Sequence, residues 1–391
     1  MGAQLVRLGR ARQTRYALRR SVRKLGDAWA LYRIDERGDA HAAGVLEAIF
    51  PGFYAEGDFA GEYPSLPWFL YDNRPRGFLG RAIARQLNHF NFHDDPALWN
   101  DDDVLEYMVR FGDDLPGNLV VGDRALEAFL KRSVVAIASA DRAQAYPVNA
   151  EREMRLGDPM SSAAGEQPKF LAVVEAPDGA QRQVLVKFSG ILDNPNGRRW
   201  GDLLIAEWTA GAVLAENGCA VPRAEVLLAG NRVFLESERI DRCGARGRRA
   251  MTSIGGLPVF EDLQEGSWLD FAQKGEQTGE ILPEDARVIR MLYAFGVAIG
   301  NTDMHPGNLS FYTRARPFRL APVYDMLPMA YAPTRQGDMR DGPLSAVAAL
   351  QDENIARMAR ALWGRVAEDA RVSAPFRALA LENAARVPTG R

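Results

Sequence analysis

In the segment GNTDMHPGNLSFY, residues 300–312, Asp303 and Asn308 stand in a D-x-x-x-x-N arrangement. A carboxylate at the first position can accept the proton of an attacking hydroxyl, and an amide oxygen at the last can bind magnesium. Phosphoryl-transfer enzymes use this spacing on one loop. Further along, LAPVYDMLP places Asp325 after an apolar run, Leu320 to Val323, that reads as a strand ending where a second metal ligand belongs. Magnesium takes a few protein oxygens and fills its shell with nucleotide phosphates, so Asn308 and Asp325 form a sufficient protein contribution. An isolated D-x-x-x-x-N arises often by chance. The order of apolar helix, loop, hairpin and strand-end aspartate is what gives it weight.

Upstream, Lys187 ends VLVKF and alternates with Val184 and Val186, so it faces the other side of its sheet. Glu207 shares a helical face with Leu203, Ala210, Gly211 and Leu214, where an unpaired carboxylate is costly, so it needs a cation. A strand lysine paired with a helix glutamate, its ammonium reaching nucleotide phosphates, serves phosphoryl transfer; a surface salt bridge is the plainer alternative. The loop SSAAGEQPKF, Ser161 to Phe170, is small and flexible before Pro168 stiffens it. Backbone amides there can approach phosphates, although alone the segment reads as an ordinary turn.

These groups need elements to position them. Val288, Met291, Leu292, Phe295 and Ile299 form one apolar helical stripe that stops at Gly300 and delivers the Asp303 loop. KFLAVVE, a PDG turn and RQVLVKF read as a hairpin carrying Lys187, and a second hairpin spans Glu225 to Glu238. Between them a helix is predicted from about Asp202 to Asn217, closed by Gly218. Asp101-Asp102-Asp103 precede VLEYMVRF and read as a helix start rather than a metal site. Val6 to Lys24 holds many arginines and no acidic residue, and Gly9 could turn a hairpin within it. It reads equally as the wing of a winged helix-turn-helix whose helices are missing from the start of the chain and as a solvated basic arm.

With 391 residues, 25% charged and a net charge of -3, the composition suits a globular protein of two or three domains and makes any nucleic-acid affinity local. Cys219 and Cys243 are the sequence's two cysteines, without the spacing of a zinc or disulfide framework. The longest apolar stretch, Met291 to Ile299, falls short of the roughly 20 residues a membrane span needs. A cytoplasmic protein without a membrane segment is expected.

Taken in order, SAAGEQPK (Ser162 to Lys169), KFS around Lys187, ESERIDR (Glu236 to Arg242), GNTDMHPGN and YDMLP resemble the motifs of HipA-like serine/threonine kinases, toxins of bacterial toxin–antitoxin modules. The resemblance covers most of the chain. It implies a two-lobed, protein-kinase-like α+β fold with a β-rich N-lobe and a mainly helical C-lobe. ATP and Mg2+ are implied as cofactors, Asp303 as the catalytic aspartate, Asn308 and Asp325 as magnesium ligands, and Lys187 as the phosphate contact. Gly165, Gln167, Glu207, Glu238 of the hinge and His305 join the implied nucleotide site; for His305, holding the loop by hydrogen bonds is the commoner fate. Ser162 becomes an autophosphorylation candidate with Ser161 beside it, since a new dianion near ATP phosphates would be repelled. Where the family usually reads F-x-N-L-L-P-E-G, this chain has Tyr71 to Gly77 with more positive charge. With the basic N-terminus, that points to the branch in which a winged helix is fused to the kinase.

The expected organisation is a basic segment at 1–34, an N-lobe at 35–240 and a catalytic C-lobe at 241–391. The expected function is a MgATP-dependent protein kinase and toxin, with a translation component such as an aminoacyl-tRNA synthetase as target and an antitoxin and DNA as further partners. The alternative is a DNA-binding regulator with a kinase-like body that does not turn over. A small-molecule kinase is disfavoured by the lack of an acidic cluster near the motif.

Overall fold

Alternating apolar residues along the first third of the chain build an antiparallel sheet. The computed structural model describes residues 5–8, 14–156, 167–261, 263, 266–334, 336–345 and 351–388. Within them β1 (Leu5–Leu8) pairs with β2 (Arg15–Arg19), and β2 with the end of β4 (Ala40–Phe50). β4 also pairs with β3 (Ala28–Ile34) and β5 (Phe53–Gly57), while β6 (Gly61–Tyr63) and β7 (Leu119–Val121) join at β5 and β3. The hairpin expected in the basic segment is therefore present, docked on the sheet; Gly9 lies outside the described residues. Several of its arginines face carboxylates: Arg19 reaches Glu47 at 2.7 Å, Arg20 both oxygens of Asp102 at 2.8 Å, and Arg23 meets Glu106 at 2.8 Å and Asp103.

Three helices accompany this sheet: α1 (Gly77–Leu87), α2 (Asp101–Phe111) and α3 (Asp123–Lys131). Leu105 and Met108 of α2 share a core with Trp29, Leu46 and Phe53 of the strands. The acidic run starts α2 as expected: Asn100 Oδ1 accepts from the Asp103 amide at 3.0 Å, and Asp103 accepts from the Asn100 amide at 2.9 Å. The Tyr71–Gly77 stretch is structural, with Arg74 bound to Asp101 at 2.5 Å and Asp72 accepting from the Ser253 amide and hydroxyl, both at 2.6 Å.

A second sheet holds β8 (Ile137–Ala138), β9 (Lys169–Glu175), β10 (Gln181–Phe188), β11 (Ala224–Ala229) and β12 (Arg232–Glu238), in the order β11-β12-β10-β9-β8. Both predicted hairpins are present. One face of β10, with Val184, Val186 and Phe188, packs with Phe170, Phe234 and Tyr146 of α4 (Arg142–Leu156). Lys187 therefore faces the opposite side. There lies α5 (Pro195–Glu216), which starts well before the predicted Asp202, because Asn194 caps it and Pro195 suits its first turn. It ends as predicted, with Gly218 at φ +83°.

The rest is mainly helical: after β13 (Arg242–Cys243), β14 (Gly247–Arg248) and β15 (Met251–Ser253) come α6 (Pro258–Glu261), α7 (Trp268–Thr278) and α8 (Pro283–Ile299). A short ladder of β16 (Ser310–Tyr312) and β17 (Arg319–Leu320) follows, then α9 (Glu353–Glu368) and α10 (Ala374–Arg386). Leu203 and Leu214 of α5, Leu292 and Phe295 of α8, Trp363 of α9 and Phe376 of α10 meet in one core, which locks the helix bearing Glu207 to the helix leading to Asp303. The architecture is α+β, as expected. Among the described residues no helix is long and apolar enough to cross a membrane.

Candidate active site

Two loops and two regular elements bring the site together. α8 stops because Gly300 takes φ +75°, a conformation costly for other residues, and a Cβ there would come within 2.8 Å of the Leu344 side chain. The chain then turns into the Asp303 loop. Its carbonyls and amides are held from several sides: Asn308 Nδ2 donates to the Asp303 carbonyl at 2.8 Å, Trp268 Nε1 of α7 to the His305 carbonyl at 3.0 Å, and the Tyr324 hydroxyl to the Gly307 carbonyl at 3.0 Å. His305 Nδ1 accepts from the Gly307 amide at 3.0 Å, and its Nε2 lies 4.0 Å from the Asp303 carboxylate. That is the loop-holding arrangement.

The strand predicted at Leu320 to Val323 is not formed: β17 ends at Leu320. The following residues are pinned one bond at a time, Ala321 N–H to the Ser310 carbonyl at 2.9 Å and Val323 N–H to the Ala220 carbonyl at 2.8 Å, because β16 is too short to offer a longer ladder. Asp325 then adopts φ +55°, uncommon outside glycine and tolerated best by asparagine and aspartate. This turn aims its carboxylate at the second sheet, where it meets the Lys187 ammonium.

Lys187 Nζ also donates to Glu207 Oε1 at 2.6 Å, so the strand–helix pair inferred from the sequence is formed and is shared with Asp325. Burial alone would lower the Lys187 pKa, but Asp325 and Glu207 outweigh it and hold the ammonium above its ordinary range. Partial burial of Asp325 favours its neutral form; Lys187, with Lys169 behind it, overcomes this and keeps the carboxyl below the ordinary aspartate range. Glu207 is pushed up by burial despite Lys187, and its Oε2 is buried without a partner among the described residues. One ammonium is thus shared between a nearly buried carboxylate and a partly exposed one. Asp303, half-exposed, is raised by burial, an effect His305 opposes and Asp325 reinforces.

Gln167 donates through Nε2 to the Phe188 carbonyl, one residue beyond Lys187. Glu238 faces Val184 in the ladder at the end of β12, and its amide donates to the Arg223 carbonyl at 2.8 Å. Gly165, Ser161 and Ser162 lie outside the described residues. A cavity of about 280 Å³, bounded by Glu207, Trp208, Leu235, Ser237, Val323 and Asp325, adjoins the ion pair.

Three contributors escaped the sequence reading. Lys169 faces Lys187 in the β9–β10 register and lends charge to Asp303, Glu207 and Asp325. Buried Asn301 accepts from the Asp303 amide at 3.0 Å and donates to the Asp325 carbonyl at 3.3 Å, tying the two motifs together. Tyr324 shares a hydrogen bond with Ser310 at 2.7 Å besides its bond to Gly307. All three lie inside motifs that were recognised; what they do depends on contacts that spacing does not reveal.

Comparison with known proteins places the chain in a family. The HipA-like C-terminal domain family matches residues 161–388, which include every group just described. The chain belongs to the HipA-like toxin family. Residues 25–130 match the middle domain of YjjJ-like toxins. The toxin YjjJ of Escherichia coli (strain K12) is 36% identical over 395 residues, covering 97% of this chain and 88% of that protein. Among solved structures, Shewanella oneidensis MR-1 HipA, in a complex with HipB and its operator DNA, matches with a TM-score of 0.57 over 92% of this chain and 96% of its own, at 16% identity. The fold is thus the kinase-like α+β fold of the HipA-like family.

Proposed function

We propose that this member of the HipA-like family is a MgATP-dependent serine/threonine kinase that acts as a toxin. The observation that supports it best is the Lys187 ammonium held by Glu207 and Asp325 at the same site as the Asp303 loop. Lysine has three donors. Among the described residues Glu207 and Asp325 engage two, and the third would meet a phosphate oxygen of ATP.

The residues suit magnesium as well. Asp325 is held ionised, and Asn308, whose Nδ2 is committed to the Asp303 carbonyl, has its Oδ1 as the end that can ligate. Asn308 and Asp325 would hold the ion, which would supply positive charge against the phosphates of the nucleotide. Asp303 would orient the substrate hydroxyl and accept its proton; Asn301 keeps its backbone in place. Gly165 and Gln167 would border the phosphates, Glu238 the hinge, and Ser162 or Ser161 would be the self-modified residue. A translation component as target, and an antitoxin and DNA as partners, complete the proposal; for DNA, the carboxylates already facing Arg19, Arg20 and Arg23 leave fewer basic side chains of the N-terminal segment to meet phosphates.

Incubation with γ-labelled ATP and Mg2+ tests this. Wild type should label itself and Asp303→Ala should not, with loss of about 10²-fold or more. Equal labelling of both would remove Asp303 from the chemistry.

A further inference from the structure

Away from the ion pair and the Asp303 loop, the first sheet and the kinase-like body leave a cleft of about 590 Å³ between them. One wall comes mainly from the stretch between β5 and α1 and from the residues entering β7, the other from β15 and the β16–β17 turn. Lys187, Glu207, Asp303, Asn308 and Asp325 are not among the described residues that line it. The volume is that of a small-molecule site, and such sites favour the seams between domains. Half-buried Phe59 and Trp68 and buried Phe318 give the cleft aromatic surface, with the Trp68 and Phe318 rings 6.1 Å apart.

Its polar groups are incomplete. Asn73 is only 4% exposed, yet its side-chain amide makes no hydrogen bond with a described residue. Buried Asn118 donates through Nδ2 to the Ile34 carbonyl at 3.3 Å, while its Oδ1 has no partner among the described residues. The hydroxyl of buried Thr252 is unpaired in the same sense. Unlike Glu207 Oε2, these atoms are not sealed: they open on the cleft, where a bound molecule can touch them. Buried amides and hydroxyls ordinarily have partners, so a ligand or water is called for here. The charges at the mouth are uneven as well. Arg33 pairs with Asp58, Arg316 with Glu280 at 2.9 Å, and Asp72 accepts from the Ser253 hydroxyl at 2.6 Å. Exposed Arg314 has no ion partner among the described residues, which leaves one guanidinium facing the opening.

We propose that this cleft binds a nucleoside monophosphate, free or as the end unit of a strand, at a site separate from the one that would hold MgATP. The base would lie against Phe59 and Trp68, Asn73, Asn118 and Thr252 would read its polar edge, and Arg314 would hold the phosphate. Inorganic phosphate would leave the buried amides unpaired, and an uncharged nucleoside would leave Arg314 without an anion. The test is calorimetry of the full chain with AMP, GMP, CMP and UMP in EDTA. At least one should bind once per chain with a Kd below about 100 µM, and its parent nucleoside and inorganic phosphate should each bind about tenfold more weakly or worse. Arg314→Glu and Asn73→Leu should each weaken binding about tenfold or more, while Lys187→Met should leave it unchanged. The matching dinucleotide separates the two sources: tighter binding than the monomer assigns a strand end, equal or weaker binding a free nucleotide. No binding of any of the four at about 5 mM, binding unchanged in Arg314→Glu, or binding lost in Lys187→Met overturns the proposal. Arg314 is exposed, so its variant decides should Asn73→Leu fail to fold.

Discussion

At the scale of single residues, the charges around Lys187 make distinct demands. Replacing Lys187 by Met leaves Asp325 and Glu207 buried without their shared cation, so phosphoryl transfer should fall about 10²–10³-fold in a single-turnover assay, with MgATP bound more weakly. Asp303 yields a pH prediction. A base works deprotonated, and burial raises this one above the ordinary aspartate value near 4, so labelling should rise with pH along an acid limb lying above that value. An acid limb at or below pH 4 would contradict the role. The pairing of Lys187 with Glu207 was legible because a carboxylate on an apolar helix face needs a cation, and the spacing of the proposed Asp303 and Asn308 because one loop sets it. Asn301 and Lys169 were not, since an asparagine joining two loops and a lysine opposite another lysine depend on register and tertiary contact.

At the scale of elements, the helix and loop that present Glu207 and Asp303 can be perturbed separately. Gly218→Ala forces a Cβ into a left-handed turn at the end of α5 and should cost about 1 kcal/mol in denaturant unfolding while leaving labelling unchanged, because no neighbouring atom lies within 4 Å of the new methyl. Trp268→Phe keeps a ring in the core but removes the donor to the His305 carbonyl. Its turnover should drop several-fold with little change in affinity for MgATP, as read by calorimetry and labelling together. Hairpins and helix ends followed from glycine, asparagine and proline signals. The start of α5 was read late because its first turns, PNGRRWG, lack apolar periodicity, although Asn194-Pro195 is a sound cap signal. The strand before Asp325 was over-read: an apolar run shows burial, but a ladder also needs a partner of matching length.

At the scale of the whole molecule, the first sheet and the kinase-like body have their own cores and meet through buried ions. The Asp114 carboxyl, opposed by burial, is held well below its ordinary range by Arg239, Arg242 and Arg132. Its stabilisation is therefore complete above about pH 4 and is lost as pH falls through the lower folded value. Asp114→Asn should cost about 3–5 kcal/mol at neutral pH and flatten acid unfolding below pH 4, as followed by circular dichroism. This junction was invisible in the sequence, because Asp114 and Arg242 are joined only by folding. The α+β body and its order of motifs were legible, since each hairpin and helix is local. A structure with a non-hydrolysable ATP analogue and Mn2+ probes the proposed chemistry most directly. The metal should lie about 2.0–2.2 Å from oxygens of Asn308 and Asp325, with a phosphate oxygen on Lys187 Nζ and the γ-phosphate facing Asp303. A nucleotide bound elsewhere, or a metal that touches neither Asn308 nor Asp325, would contradict it.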